Sequence, residues 1–148
     1  MKMTTSKGIE ILVDEEDFEK MSKLKWYIAK TGYAANDSLP RKLMHRFLLD
    51  NPKSYVDHIN GDKLDNRRSN LRLCNQSGNS ANSRIKSTNK SGYKGVCWAK
   101  REKKWSVYLT KDYKHIYGGL YIDKVEAAKR YNELAIQLFG DFAKLNSI

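Results

Sequence analysis

No stretch of this chain approaches the roughly eighteen consecutive apolar residues that a membrane-spanning helix needs. The N-terminus carries no apolar core of the signal-peptide kind, so a cytoplasmic setting is expected. Cysteine is scarce. Cys74 and Cys97 are the two present, and neither belongs to a Cys-x-x-Cys pair, which argues against a zinc ribbon or finger and points to reduced thiols. Acidic residues are also in short supply, 17 against 28 Lys and Arg, which leaves a net charge of +11 and a pI near 9.6.

The positive excess is local. Residues 1–30 hold six Lys and six acids and are neutral; residues 41–84 carry +5 and residues 85–122 carry +7. A concentrated excess of this sort is the electrostatic footprint of a nucleic-acid-binding protein. An anionic membrane surface is disfavoured as partner, because no segment opposes a basic face to a bulky apolar one. With 148 residues the chain has room for one ordinary domain or two small ones.

The first forty residues read as scaffold. Ile9 to Val13 suits a short strand, and Asp14-Glu15-Glu16-Asp17 places acids where a helix N-terminus favours them. Lys25–Ala29 and Tyr33–Ala35 flank Lys30-Thr31-Gly32 as a hairpin would, and Leu43, Phe47 and Leu48 form a helical stripe ended by Asn51-Pro52. Residues 54–84 follow a β-β-α order: a strand over Tyr55–Ile59, a polar loop through Asp65–Asn70, a strand over Leu71–Cys74, and a short helix over Ser77–Ser83. A basic, polar linker is expected at residues 85–91. Beyond it, strands around Val96, Trp105–Leu109 and Ile116 precede a helix with Asp123 as N-cap, Glu126 completing a capping box and Gly140 as the stop. Trp105 is expected at the centre of that second core. The fold class is therefore α+β.

Asp57-His58, Asn70 and Asn79 carry the chemistry. Asn70 follows His58 by twelve positions and Asn79 follows Asn70 by nine. A carboxylate, an imidazole and two amides supply an oxygen ligand, a base, a group to orient the base, and a second ligand, which is what metal-assisted hydrolysis requires. Asp57 also has a structural alternative, an ion pair with Arg46 or Arg72. His45 is a phosphate contact or, preferably, a structural hydrogen-bonding histidine. Arg67, Arg68, Arg72 and Arg84 are candidate phosphate clamps.

Met44-His45-Arg46, Val56 to Asp62, Asp65 to Arg72 and Gly78-Asn79 together resemble the HNH endonucleases of phages and mobile introns. Gly92 to Val96, Trp105, Gly119-Leu120-Tyr121, Glu126-Ala127-Ala128 and Ala143 to Asn146 resemble the APETALA-type, or ethylene-response-factor, DNA-binding domain. The resemblance implies a β-β-α-metal nuclease module in residues 1–84 and a three-stranded antiparallel sheet packed on one helix in residues 92–148. It implies Asp57 and Asn79 as metal ligands, His58 as general base, and Asn70 as the residue that holds the base through a backbone contact. Asn79 stands where the family name has a second histidine. One carboxylate and one amide oxygen suit Mg²⁺, or Mn²⁺, better than zinc.

Strand alternation in residues 94–117 assigns Lys94, Trp98, Lys104, Tyr108, Thr110, His115 and Tyr117 to an outward sheet face, with Lys100 and Arg101 in the turn. Aromatic and basic residues on an uncovered sheet suit double-stranded DNA. Cys97 and Thr110 stand where the plant family commonly has arginines, so base preference does not carry over. The function expected is a metal-dependent DNA endonuclease of the homing type, nicking as a monomer on DNA with no small-molecule cofactor. The competing reading is a non-catalytic DNA-binding regulator with a decayed nuclease module.

Overall fold

The computed structural model describes residues 1–38 and 40–148. The chain forms two compact units, Met1–Cys74 and Asn75–Ile148. This division precedes the short helix that the sequence groups with the two strands before it, so that helix packs as part of the second unit. The secondary structure is mixed, with small antiparallel sheets. No helix among the described residues is long and apolar enough to cross a membrane.

In the first unit β1 (Lys2–Thr4) pairs with β2 (Glu10–Leu12), and α1 (Glu15–Ser22) follows. The acids that open α1 serve more than the helix dipole. Asp17 is buried and takes both Nε and a terminal nitrogen of Arg68 at 2.7 and 2.8 Å, while Asp14 accepts from the Arg68 backbone N–H. The expected hairpin is β3 (Tyr27–Ile28) and β4 (Ala34–Asn36), extended by a two-residue strand, β5 (Lys42–Leu43). Then come α2 (Met44–Leu48), β6 (Tyr55–His58) and β7 (Leu71–Cys74), the last two paired from Tyr55↔Cys74 to His58↔Leu71. Ile11, Val13, Met21, Met44 and Leu48 are fully buried and form the core. Removing such side chains from water at about 1.5–3 kcal/mol each is what holds these short elements together.

In the second unit α3 (Gln76–Ala81) is followed by β8 (Val96–Ala99), β9 (Lys104–Lys111), β10 (Lys114–Tyr121) and α4 (Lys124–Phe139). The sheet order is β10-β9-β8, all antiparallel, with α4 on one face. Asp123 caps α4 by accepting from the Val125 and Glu126 amides at 2.7 and 2.9 Å. Val107, Ala127, Ala128 and Ala135 are fully buried, whereas Trp105 is only partly buried. The centre therefore belongs to small residues, and Trp105 lies at the margin. A glycine on β10 lets α4 approach closely: a Cβ on Gly118 would meet Val107 at 2.7 Å and Leu134 of α4 at 2.9 Å.

Candidate active site

The C-terminal end of strand β6 brings Asp57 and His58 into the interior, with 7 and 4 % of their surface exposed. Arg72, the register partner of Asp57 on β7, donates from Nε and a terminal nitrogen to Asp57 Oδ2 at 3.0 and 2.9 Å. The structural alternative named for Asp57 is thus present with Arg72. Arg46 instead donates to the carbonyls of Ser54 and Pro52.

His58 Nε2 lies 3.3 Å from Asn66 Oδ1. An amide oxygen only accepts, so this contact selects the tautomer protonated at Nε2 and leaves the lone pair on Nδ1. Burial lowers the His58 pKa, against the raising effect of the Asn66 contact and of Asp57, Asp62 and Asp65. The ring is neutral at pH 7 and able to accept a proton.

Asn70 does not touch the ring. Its Oδ1 accepts from the Asn60 amide at 3.0 Å, and its Nδ2 donates to Asn60 Oδ1 and to the Asp65 carbonyl at 3.0 and 2.8 Å. It ties the loop that leaves His58 to the loop that returns to β7. Asp65, 2 % exposed, adds bonds from Asn60 Nδ2 and a two-point pair with Arg67, which holds its carboxyl below the usual range. Asn66 and Asp65, which the sequence places in a polar loop, are therefore buried members of the network around His58. Strand β2 fixes that loop: Leu12 N–H donates to the Leu64 carbonyl at 2.9 Å and Asn66 N–H to the Leu12 carbonyl at 2.8 Å.

His45 and Tyr33 complete the surroundings. The His45 ring stands edge-on to His58 with centroids 5.0 Å apart, and Tyr33 lies 4.8 Å from His45 and 5.9 Å from His58. Among the described residues His45 Nδ1 is buried without a hydrogen-bond partner. Burial, with His58 and Arg46 adding to it, pushes the His45 pKa down to about 3. The expected hydrogen bond is not found at Nδ1; the ring instead packs against those of Tyr33 and His58.

Three of the four arginines expected to clamp phosphate are occupied by carboxylates, Arg67 by Asp65, Arg68 by Asp17 and Glu16, and Arg72 by Asp57. Arg84 is exposed.

Asn79 sits on α3. Its backbone N–H closes the first turn on the Asn75 carbonyl, and its side chain makes no hydrogen bond among the described residues. Among the described residues no three His, Cys, Asp or Glu side chains are grouped as a metal cluster. Taken each in its own unit, the Asp57 carboxylate and the Asn79 amide offer oxygen donors, which are hard ligands of the chemical type that suits a divalent ion keeping waters and phosphate in its shell.

On the second unit's sheet the outward face holds Lys104, Tyr108, Thr110, His115 and Tyr117, all exposed, with Lys100 and Arg101 in the turn. The Tyr108 and Tyr117 rings pack 5.3 Å apart, and Thr110 Oγ1 meets His115 Nδ1 at 3.0 Å. Two residues depart from the expected set. Trp98 pairs with Trp105 and shares the face of Val96, so it lies on the helix side, its ring edge-on to Trp105. Lys94 turns its ammonium onto the carbonyls of Ser80, Ala81 and Ser83.

The HNH endonuclease family matches residues 51–81, the segment that runs from the approach to β6 through α3. An uncharacterised HNH endonuclease of Acanthamoeba polyphaga mimivirus, L560, is 35% identical over 152 residues, covering 96% of this chain and 77% of that protein. Protein 3.8 of Escherichia phage T7 is 40% identical over 60 residues, which is 40% of this chain and 50% of that protein. No solved structure matches. HNH nucleases act on DNA and generally use a divalent metal ion. With the similarity to L560 running nearly end to end, the chain belongs to the HNH endonuclease family and is a nuclease, a hydrolase.

Proposed function

We propose that this nuclease nicks double-stranded DNA at a preferred site, in a reaction that depends on Mg²⁺ or Mn²⁺, with His58 as base and Asp57 and Asn79 as protein ligands of the ion. The observation that carries this reading is the buried, neutral imidazole of His58, fixed through Nε2 by Asn66 beside the Asp57 carboxylate. His58 Nδ1 takes the proton of the attacking water; a base in this position contributes about 10²–10⁴-fold in rate. Asn66 holds the ring, and Asn70 holds the loop on which both depend. Asp57 and Asn79 would hold the ion, whose charge would then offset that of the phosphate and of the departing oxygen. Arg72 orients Asp57 through two hydrogen bonds to one carboxylate oxygen.

Residues 92–148 act as an APETALA-type reader. Three antiparallel strands backed by one helix, with Tyr108, Tyr117, Lys104 and His115 on the uncovered face, support this assignment. One catalytic centre in a monomer cuts one strand per binding event. Relatives in a phage and a virus support a homing-type role in the cytoplasm of an infected host cell. The test is a supercoiled plasmid incubated with protein and Mg²⁺. Conversion to relaxed circles, stopped by EDTA, is expected. Cognate plasmid left supercoiled while the protein binds it rejects the reading.

A further inference from the structure

Helix α3 has six residues, too few to be stable by itself, because nucleation costs more than one turn of hydrogen bonds returns. The second unit holds it at three points. At its start, Ser77 Oγ accepts from the Asp112 amide at 2.9 Å and Gln76 Oε1 from the Tyr113 hydroxyl at 2.6 Å. Asp112 and Tyr113 form the two-residue tip between β9 and β10, both at positive φ, a conformation unusual for tyrosine. At its middle, Gly78 faces Phe142 so closely that a Cβ would lie 3.1 Å from the ring. At its end stands Lys94.

The Lys94 ammonium has three N–H groups and faces three carbonyls, those of Ser80, Ala81 and Ser83. These belong to the last turn of α3 and the residues after it, where the dipole favours a cation; the Ser80 carbonyl also accepts from Ser83, and the Ala81 carbonyl from the Lys144 N–H at 3.2 Å. The lysine backbone is pinned in turn: its N–H donates to Asn146 Oδ1 at 2.6 Å and its carbonyl accepts from Asn146 Nδ2 at 3.1 Å. Asn146 is locked to Asn132 of α4 by two further bonds of 2.8 and 3.0 Å. Burial lowers the Lys94 pKa to about 8, with Lys144 adding to the effect, which leaves it charged at pH 7.

We propose that Lys94 is a positioning residue for the metal ligand Asn79, holding α3 by its C-terminal carbonyls so that the DNA-reading unit also sets the place of a catalytic ligand. This rests on the assignment of Asn79 as a ligand. It also removes Lys94 from the phosphate contacts, since a phosphate would compete with three carbonyls already in place.

The test uses the full chain and compares Lys94→Met, which keeps the stem and removes the ammonium, with Asn79→Ala. Three quantities are read at pH 7: the Mn²⁺ concentration that half-saturates plasmid nicking, amide hydrogen exchange across residues 76–81, and DNA affinity in EDTA as a function of salt. For Lys94→Met we expect an approximately tenfold higher Mn²⁺ requirement, faster exchange in α3 with α4 unchanged, and DNA affinity and salt slope as in wild type. Asn79→Ala should raise the Mn²⁺ requirement without changing exchange. Wild-type exchange and Mn²⁺ requirement in Lys94→Met overturn the positioning role. So does weaker DNA binding in EDTA with a salt slope smaller by about one, the signature of a lost phosphate contact. If Asn79→Ala keeps the wild-type Mn²⁺ requirement, the ligand assignment falls and the inference with it. Should Lys94→Met not fold, Lys94→Gln, which keeps a shorter donor, is read the same way with smaller shifts.

Discussion

Arg72 places two nitrogens on a single oxygen of Asp57, 3.0 and 2.9 Å away, across one rung of the β6–β7 ladder. Both side chains are largely buried, so neither charge is well solvated without the other. Breaking a buried pair from one side leaves the partner uncompensated, at about 3 kcal/mol or more. Arg72→Ala should lower stability by that amount in urea unfolding. It should also lower nicking more than DNA affinity in EDTA. A variant as stable as wild type shows that the pair is not needed to hold Asp57.

Asn66 tests the base and its support together. His58→Ala should reduce nicking about 10²–10⁴-fold while DNA affinity in EDTA is kept. Asn66→Ala leaves the ring without its acceptor and should reduce nicking about 10–100-fold, again with DNA affinity kept. Unchanged nicking in Asn66→Ala removes it from the machinery, and unchanged nicking in His58→Ala removes the base.

His45 makes stability depend on pH. Its pKa in the fold is about 3, against about 6.5 when unfolded. Between these values the unfolded chain binds a proton that the native chain refuses, so stability falls as pH falls. The contribution is complete above about pH 6.5 and declines toward pH 3 with a slope of at most about 1.4 kcal/mol per pH unit. Urea midpoints at pH 7.5, 6 and 5 should show this decline, and it should be shallower in His45→Phe. Equal slopes in the two proteins would assign the decline to other groups.

The outward sheet face is tested by affinity and salt. Tyr108→Ala and Tyr117→Ala, which remove a packed ring pair, should weaken binding to cognate duplex more than to random duplex. Lys104→Ala should weaken both alike and reduce the salt slope by about one. Fluorescence anisotropy at several salt concentrations distinguishes the two patterns. Identical affinities in all three variants would leave DNA reading to another surface.

Local signals were read well from the chain. The strand over Leu71–Cys74, the α4 cap at Asp123 and its stop at Gly140 each depend on neighbours in sequence, and each is found where expected. Strands β1 and β5 were not legible, since three and two residues carry no period and are strands only because a partner lies beside them. The alternation that predicts Trp98 on the outward face is corrected by its register with Trp105, which puts it on the face of Val96. Sequence gives charge without partners, so it predicts the arginines as a cluster for phosphate. Asp17 reaches Arg68 across 51 positions, and no local pattern announces such a pair.

What the sequence determined by itself is the chemical inventory: an excess of positive charge, an Asp-His step with two later asparagines, and α+β elements in the order that places them. Side-chain type and short-range periodicity are enough for that. Only the tertiary structure decided which groups serve each other: Asn66 on the His58 ring, carboxylates on Arg67, Arg68 and Arg72, and Lys94 on the end of α3. The reason is physical. A buried donor or charge must find a partner within about 3 Å or lose its solvation, and which partner it finds is set by elements that meet only after folding.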